Sequence, residues 1–272
     1  MRVALYDRRC LVPIRATFAV VRNRSWSGAM PTIRPARLNI ILDRMNCQQP
    51  RYLEIGIASG ATLFAVKANE VLGVDPRPDL AMSALPDHVR VIQSTSDEFF
   101  RDHAEGLKFD LIYLDGLHEW KQTLRDFQNS LELLNPGGII VIDDVRPTDR
   151  WSADPNPEKI VEARNAGLVE HGRWYGDVYK TVMAIAESPL TFGLATVGSG
   201  RGAHAQTIVW TTNHSLNEAT FSLSQADIER LDSMTYEEVF SYGRTPRFYN
   251  FKRESRNLYA NIARAALDGR RL

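Results

Sequence analysis

The stretch RYLEIGIASGATL, Arg51 to Leu63, decides how this chain is read. An apolar strand carrying one acid, Glu54, breaks into Gly56-Ile-Ala-Ser-Gly60 and then gives way to a second apolar pattern. Two glycines four residues apart at the end of a buried strand have two explanations. The plainer is a tight turn; the other is a backbone that a bulky ligand must approach closely.

Downstream, short apolar runs alternate with helical patterns: EVLGVD, DLAMSAL, VRVIQS, SDEFFRDHA, FDLIYLD, WKQTLRDFQNSLELL and GGIIVIDDV, with ATLFAVKA read as the first crossover helix. Alternation with short connections means parallel strands joined by crossovers. FDLIYLD and GGIIVIDD are nearly continuous apolar runs, as strands covered on both faces require. Trp120, Leu124, Phe127, Leu131 and Leu134 recur at helical spacing, and Asn135-Pro136-Gly137-Gly138 closes that helix. Upstream, Ile33 to Met45 reads as a helix before the first strand. After Pro147 comes a polar, proline-containing loop, then a helix through VYKTVMAIAE, the strands TFGLATVG and AQTIVWTT, and a mostly helical, basic tail. The divisions expected are an N-terminal helical extension (1–48), a core (49–213) and a C-terminal extension (214–272). The tail reads first as a solvated helix or an oligomer contact, and second as a binder of anionic substrate.

The chain has 272 residues, a formal net charge of +0 and 44% hydrophobic residues, enough for one substantial core. Balanced charge argues against a nucleic-acid binder. Two cysteines, Cys10 and Cys47, support neither a disulfide framework nor a zinc site and fit a reducing compartment. The apolar segment CLVPIRATFAVV is interrupted by Pro13 and Arg15, and no run approaches the roughly 18 apolar residues of a membrane span. A cytoplasmic protein is expected, with a small-molecule partner, no membrane and no nucleic acid; extensions at both ends suit a homo-oligomer.

The glycines lie at the carboxyl end of the first parallel strand, where open α/β sheets bind ligands. Asp75 ends the second strand in GVDP, and a carboxylate there can accept both hydroxyls of an adenosine ribose. The spacing Glu-x-Gly-x-x-x-Gly departs from Gly-x-Gly-x-x-Gly, which weakens a nicotinamide reading. The ordered set LEIGIASGATL, GVDP, FDLIYLDGLHEW and LNPGGIIVIDD resembles the class I S-adenosylmethionine-dependent methyltransferases over about Tyr52 to Val145. The resemblance implies a Rossmann-like, seven-stranded, mostly parallel sheet with helices on both faces and the last strand antiparallel. It also implies that Glu54, Gly56, Ser59 and Gly60 line the methionine end of the cofactor, with Asp115 nearby, and that Asp75 holds the ribose. Asp97 would meet the adenine amino group, although Thr95-x-x-Glu98 is equally a helix capping box.

Methyl transfer to a hydroxyl requires a held acceptor, excluded water and removal of a proton. Asp115 ends the fourth strand with His118 three residues on, and Asp143 and Asp144 end the fifth. Neighbouring strands lie about 4.8 Å apart, so these carboxylates converge, and unpaired they would repel. A divalent cation with oxygen ligands (Mg²⁺, Mn²⁺ or Ca²⁺) resolves this. The set resembles metal-dependent O-methyltransferases acting on natural-product sugars, which implies Asp115, Asp143 and Asp144 as metal ligands and His118, with Asp115, as the catalytic pair. The competing readings are a helix cap at Asp115 and a turn at Asp143-Asp144.

HGRWYGDVYKTV, His171 to Val182, suits an acceptor-pocket lid, with Trp174, Tyr175, Asp177 and Lys180 as candidate substrate residues; a helix entry with core aromatics is the alternative. His88, His103, His171, His204 and His214 read as surface residues. Three other functions share the fold: an aminopropyl transferase, a nicotinamide oxidoreductase and a non-catalytic cofactor-binding partner subunit. A metal-independent N- or O-methyltransferase also remains open.

Overall fold

The computed structural model describes residues 34–188, 192–198, 204–212, 221, 223–240, 252 and 254–269. Seven strands form one sheet: β1 (Arg51–Ile55), β2 (Glu70–Val74), β3 (Val89–Ile92), β4 (Phe109–Leu114), β5 (Leu134–Ile142), β6 (Phe192–Val197) and β7 (Gln206–Thr211), in the order β3-β2-β1-β4-β5-β7-β6. β1 to β5 pair in parallel, and β7 runs antiparallel between β5 and β6. The expected Rossmann-like sheet with its reversed last strand is the observed one.

Side chains alternate across each strand, so each strand feeds two cores. Ile112 and Leu114 of β4 and Ile140 and Ile142 of β5 face one side. They pack there with α2 (Ser96–Asp102), α3 (Trp120–Glu132) and the later α5 (Tyr179–Glu187). Leu111, Tyr113, Ile139 and Val141 face the other side, under α1 (Arg34–Met45). Between α3 and α5 lies α4 (Glu158–Asn165), in a segment the sequence reads as irregular; beyond the sheet come α6 (Gln225–Ser233), α7 (Tyr236–Phe240) and α8 (Arg256–Asp268).

Two expected elements differ. ATLFAVKA and DLAMSAL form single 3₁₀ turns, Leu63–Ala65 and Met82–Ala84, instead of crossover helices. Once the glycine turn is made, residues 61–69 must cover the whole return to β2; a helix would use them all and leave none for its two loops. Nor is the basic tail merely a solvated helix. In α8, Tyr259, Ile262, Ala263 and Ala266 are buried in the same core as Leu38, Ile41 and Leu42 of α1. Both terminal helices therefore complete one layer over the sheet. Among the described residues, no helix is long and apolar enough to cross a membrane.

Candidate active site

The chain order reverses direction between β1 and β4, and a cavity of about 850 Å³ opens at their carboxyl ends. Its size lies in the range of small-molecule sites.

At the tip of β1 the glycine question is answered. Gly56 and Gly60 have φ of +84° and +73°, a region L side chains rarely adopt. A Cβ on Gly56 would meet the Asp115 carbonyl oxygen at 2.1 Å, and one on Gly60 would meet the Phe64 ring at 2.6 Å. Both glycines are therefore demanded by the turn and by packing beneath it. Gly56 still borders the cavity through its backbone, with Glu54 and Ser59; Gly60 is buried outside the lining, which departs from the expected role. Asp75 fixes the turn: Oδ2 accepts from the backbone N–H of Ile57 (3.1 Å) and Ala58 (2.9 Å), and Oδ1 from that of Arg77 (2.7 Å). Asp75 and Asp97 both border the cavity. The Thr95–Glu98 capping box is formed, leaving Asp97 exposed and bonded by Gln122 and Arg125.

Glu54 is buried and accepts a hydrogen bond from the Tyr52 hydroxyl at 2.8 Å. Burial pushes its carboxyl well above the usual carboxylate range, and the Tyr52 bond only partly offsets this.

Across the sheet, Asp115 follows β4 and Asp143-Asp144 follow β5, held level because Leu114 pairs with Ile142. His118 Nε2 lies 3.0 Å from Asp144 Oδ2 and 3.4 Å from Asp115 Oδ1. Asp115, His118 and Asp144 form the only three-residue group among the described residues whose ligand atoms could hold a metal ion. Their ligand atoms all lie within 4.8 Å of one another, close enough for one divalent cation with oxygen ligands at about 2.0–2.6 Å to gather them after small side-chain adjustments. The expected third carboxylate is not in this group. Asp143 is turned the other way, where the Tyr113 hydroxyl and the Arg34 guanidinium bind it. Both residues lie past the end of β5, and Asp144 has a left-handed backbone, φ +53°, so the Asp-Asp pair divides between two environments.

Arg34 was not foreseen from sequence. At the first position of α1, it reaches Asp115 (3.4 Å), Asp144 (3.0 Å) and Asp143. Sequence gave one hint: carboxylates gathered at two strand tips need a cation, and an arginine opens the helix before β1.

Residues 171–178 hold His118 in place. The Trp174 ring lies 4.8 Å from the His118 ring, and the Asp177 N–H donates to the His118 carbonyl at 3.2 Å. Gly176 approaches so closely that a Cβ would lie 1.8 Å from that carbonyl oxygen. His118 and Asp144 both have left-handed backbones, φ +56° and +53°, strain that the surrounding contacts must hold. With Nε2 facing two carboxylates, the satisfied tautomer carries its proton there. Nδ1, buried and without a hydrogen-bond partner among the described residues, then carries the lone pair.

Of the candidate substrate residues, Trp174 and Tyr175 border the cavity and Asp177 and Lys180 do not. Those two form a buried ion pair (3.3 Å), and Asp177 also accepts from the Trp120 N–H at 2.9 Å, so they anchor the loop to α3. Among the histidines, His88 and His103 are exposed and His171 pairs with Asp149. His204, two residues before β7, borders the cavity rather than open surface. His214 lies outside the described residues.

Residues 53–145, about a third of the chain, match a family described as a methyltransferase domain. No curated protein sequence matches the chain. Among solved structures, similarity extends to the O-methyltransferase TomG from Streptomyces achromogenes, involved in tomaymycin synthesis and solved with S-adenosylmethionine (18% identity, 66% of this chain and 81% of that one, TM-score 0.42). It extends also to an O-methyltransferase from Bacillus cereus with S-adenosylhomocysteine (18%, 67% and 83%, 0.43). A third is MycE of mycinamycin biosynthesis, solved with Mg, S-adenosylhomocysteine and mycinamycin VI (18%, 61% and 46%, 0.37). Likeness at this level assigns no substrate. The family match begins in β1 and ends just past β5, on the segments that build the cavity, so the part of the chain that is similar to a methyltransferase domain is the part that forms the site.

Proposed function

We propose that the protein methylates a hydroxyl of a small molecule, a sugar or other secondary metabolite, in the cytoplasm, with His118 as general base. The observation that carries this reading is His118 itself, clamped between a carboxylate pair and an aromatic lid at the cavity wall. An amine acceptor can be bound already neutral, whereas a hydroxyl is a poor nucleophile until its proton is removed, so a held base favours oxygen over nitrogen.

S-adenosylmethionine, when bound, supplies a sulfonium-activated methyl group for in-line displacement. Glu54, Gly56 and Ser59 would line the methionine end, Asp75 would hold the ribose and Asp97 would meet the adenine. Trp174 and Tyr175 shape the acceptor side and keep water from it. Asp144 and Asp115 orient the imidazole through Nε2 and would stabilise the imidazolium that forms when the ring takes the acceptor's proton, the division of labour of a histidine–carboxylate pair. Asp115 and Asp144 would hold a divalent cation, whose chemistry there is Lewis acidity that lowers the acceptor hydroxyl's pKa. His118 Nε2 cannot both ligate that ion and donate to Asp144, so the ion's protein ligands in this reading are the two carboxylates. A metal-independent O-methyltransferase is favoured by one observation: Arg34 already sets a positive charge against all three aspartates.

The test is mass spectrometry of hydroxylated sugars and glycosides incubated with the protein and methyl-labelled S-adenosylmethionine, with and without EDTA. A methyl ether whose formation needs His118 supports the reading. Methylation unaffected by His118→Ala, or confined to amines, removes it.

A further inference from the structure

One side chain touches every carboxylate at the tips of β4 and β5. Arg34 directs Nη1 to Asp115 Oδ2 at 3.4 Å and Nη2 to Asp144 Oδ1 at 3.0 Å, while its Nε meets Asp143 Oδ2. His118 Nε2 faces the opposite oxygens, Asp115 Oδ1 and Asp144 Oδ2. Asp115 and Asp144 are thus each divided, one oxygen toward a guanidinium and the other toward an imidazole.

We propose that Arg34 is the site's own cation and competes with a divalent metal ion for Asp115 and Asp144. The inference rests on the proposed metal reading and adds what sets the ion's affinity. Three carboxylates with side-chain exposures of 15%, 0% and 3% cannot stay together unneutralised, and a planar fork of fixed donors is suited to spanning them. The same fork limits what an ion can do. With Oδ2 of Asp115 and Oδ1 of Asp144 committed to Arg34, each aspartate offers a single oxygen, and the incoming charge meets a positive charge at hydrogen-bond distance from both ligands. Salt screens such a repulsion poorly in a half-buried site. Arg34 also has somewhere to go: its side chain is 30% exposed and borders the cavity. It is a positioning residue in this account, acting on the acceptor through the carboxylates.

The experiment titrates Mn²⁺ into the full chain, reading free Mn²⁺ by electron paramagnetic resonance and binding heat by calorimetry. The proteins are wild type, Arg34→Gln, Arg34→Lys and the double variant Arg34→Gln/Asp144→Asn; S-adenosylhomocysteine binding reports that each is folded. Arg34→Gln is expected to bind Mn²⁺ more tightly by about tenfold or more, in the range of ordinary site-to-site coupling. Its melting temperature should fall in EDTA and recover in Mn²⁺ more than the wild type's does. Arg34→Lys, which keeps one charge without the fork, should fall between, and it stands in if the glutamine variant does not fold. The double variant should lose the gain. Equal or weaker Mn²⁺ binding by Arg34→Gln, with the wild type binding Mn²⁺, overturns the competition and leaves the metal reading intact. A double variant binding as tightly as Arg34→Gln also overturns it, because the ion then sits elsewhere. If no protein binds millimolar Mn²⁺ while all bind S-adenosylhomocysteine, the competition and the metal reading both fall.

Discussion

The indole of Trp174 lies over the imidazole of His118, ring centroids 4.8 Å apart and planes 37° from parallel. The indole is itself fixed, since its N–H donates to the Asp154 carbonyl at 2.8 Å. A ring so held restricts how far the imidazole can turn away from Asp115 and Asp144. Trp174→Ala should therefore lower kcat by about tenfold, the scale of a misoriented catalytic group, and raise the acceptor KM. S-adenosylhomocysteine affinity should stay unchanged. Steady-state kinetics with calorimetry checks this, and unaltered kcat and acceptor KM would show the indole to be core packing only.

Asp144 should set the pH at which the base works. Desolvation lowers the His118 pKa, but the Asp115 hydrogen bond and the charges of Asp144, Asp115 and Asp143 outweigh it, and the net direction is upward from 6.5. A base acts when deprotonated, so kcat/KM should rise with pH along a limb centred above 6.5. Asp144→Asn removes one raising charge and should move that limb to lower pH while reducing kcat by about a hundredfold through lost orientation. A limb that stays in place, measured with and without EDTA, would detach Asp144 from the base.

Donor binding should release protons near neutral pH. Burial holds the Glu54 carboxyl well above the usual range, so the free protein keeps a proton there to higher pH than an ordinary carboxylate does. An ammonium placed against Glu54 favours the carboxylate and expels that proton. Calorimetry of S-adenosylhomocysteine binding in buffers of different ionisation enthalpy should report net release that disappears in Glu54→Gln. Identical release by the variant would place the proton on another group.

What could be read in advance follows from the range of the forces involved. Strand alternation, the glycine turn and the Leu114–Ile142 level of the acidic tips are local consequences of spacing, and Asp115 and His118 meet because three residues separate them at a strand end. Arg34 lies 81 residues from Asp115 and 110 from Asp144, and only the packing of α1 onto the sheet brings them together. The Asp143/Asp144 division depends on the left-handed backbone of Asp144 just past β5, which the apolar pattern of the strand does not encode. The missing first crossover helix was a question of length, with residues 61–69 too few for a helix and its loops. Asp177 and Lys180 look like pocket residues in sequence and are buried beneath the pocket, a distinction that depends on where Trp120 begins α3.

Asp126 should make stability fall as pH rises through the weakly acidic range. It is buried on α3, and burial raises its carboxyl from 3.8 to about 6 against the pull of hydrogen bonds from Ser96 and Gln122. Between those values the folded protein keeps a proton that the unfolded chain has lost, so its stability declines from about pH 4 to pH 6 and stays lowered above. Two pH units correspond to about 3 kcal/mol at most, an order-of-magnitude figure. Asp126→Asn keeps an oxygen to accept from Gln122, now at 3.0 Å, and has no charge to bury. Urea unfolding at pH 4.5 and 7.5 should show the variant's advantage growing with pH toward that figure. Parallel profiles for the two proteins would mean that Asp126 is ionised in the fold at both pH values.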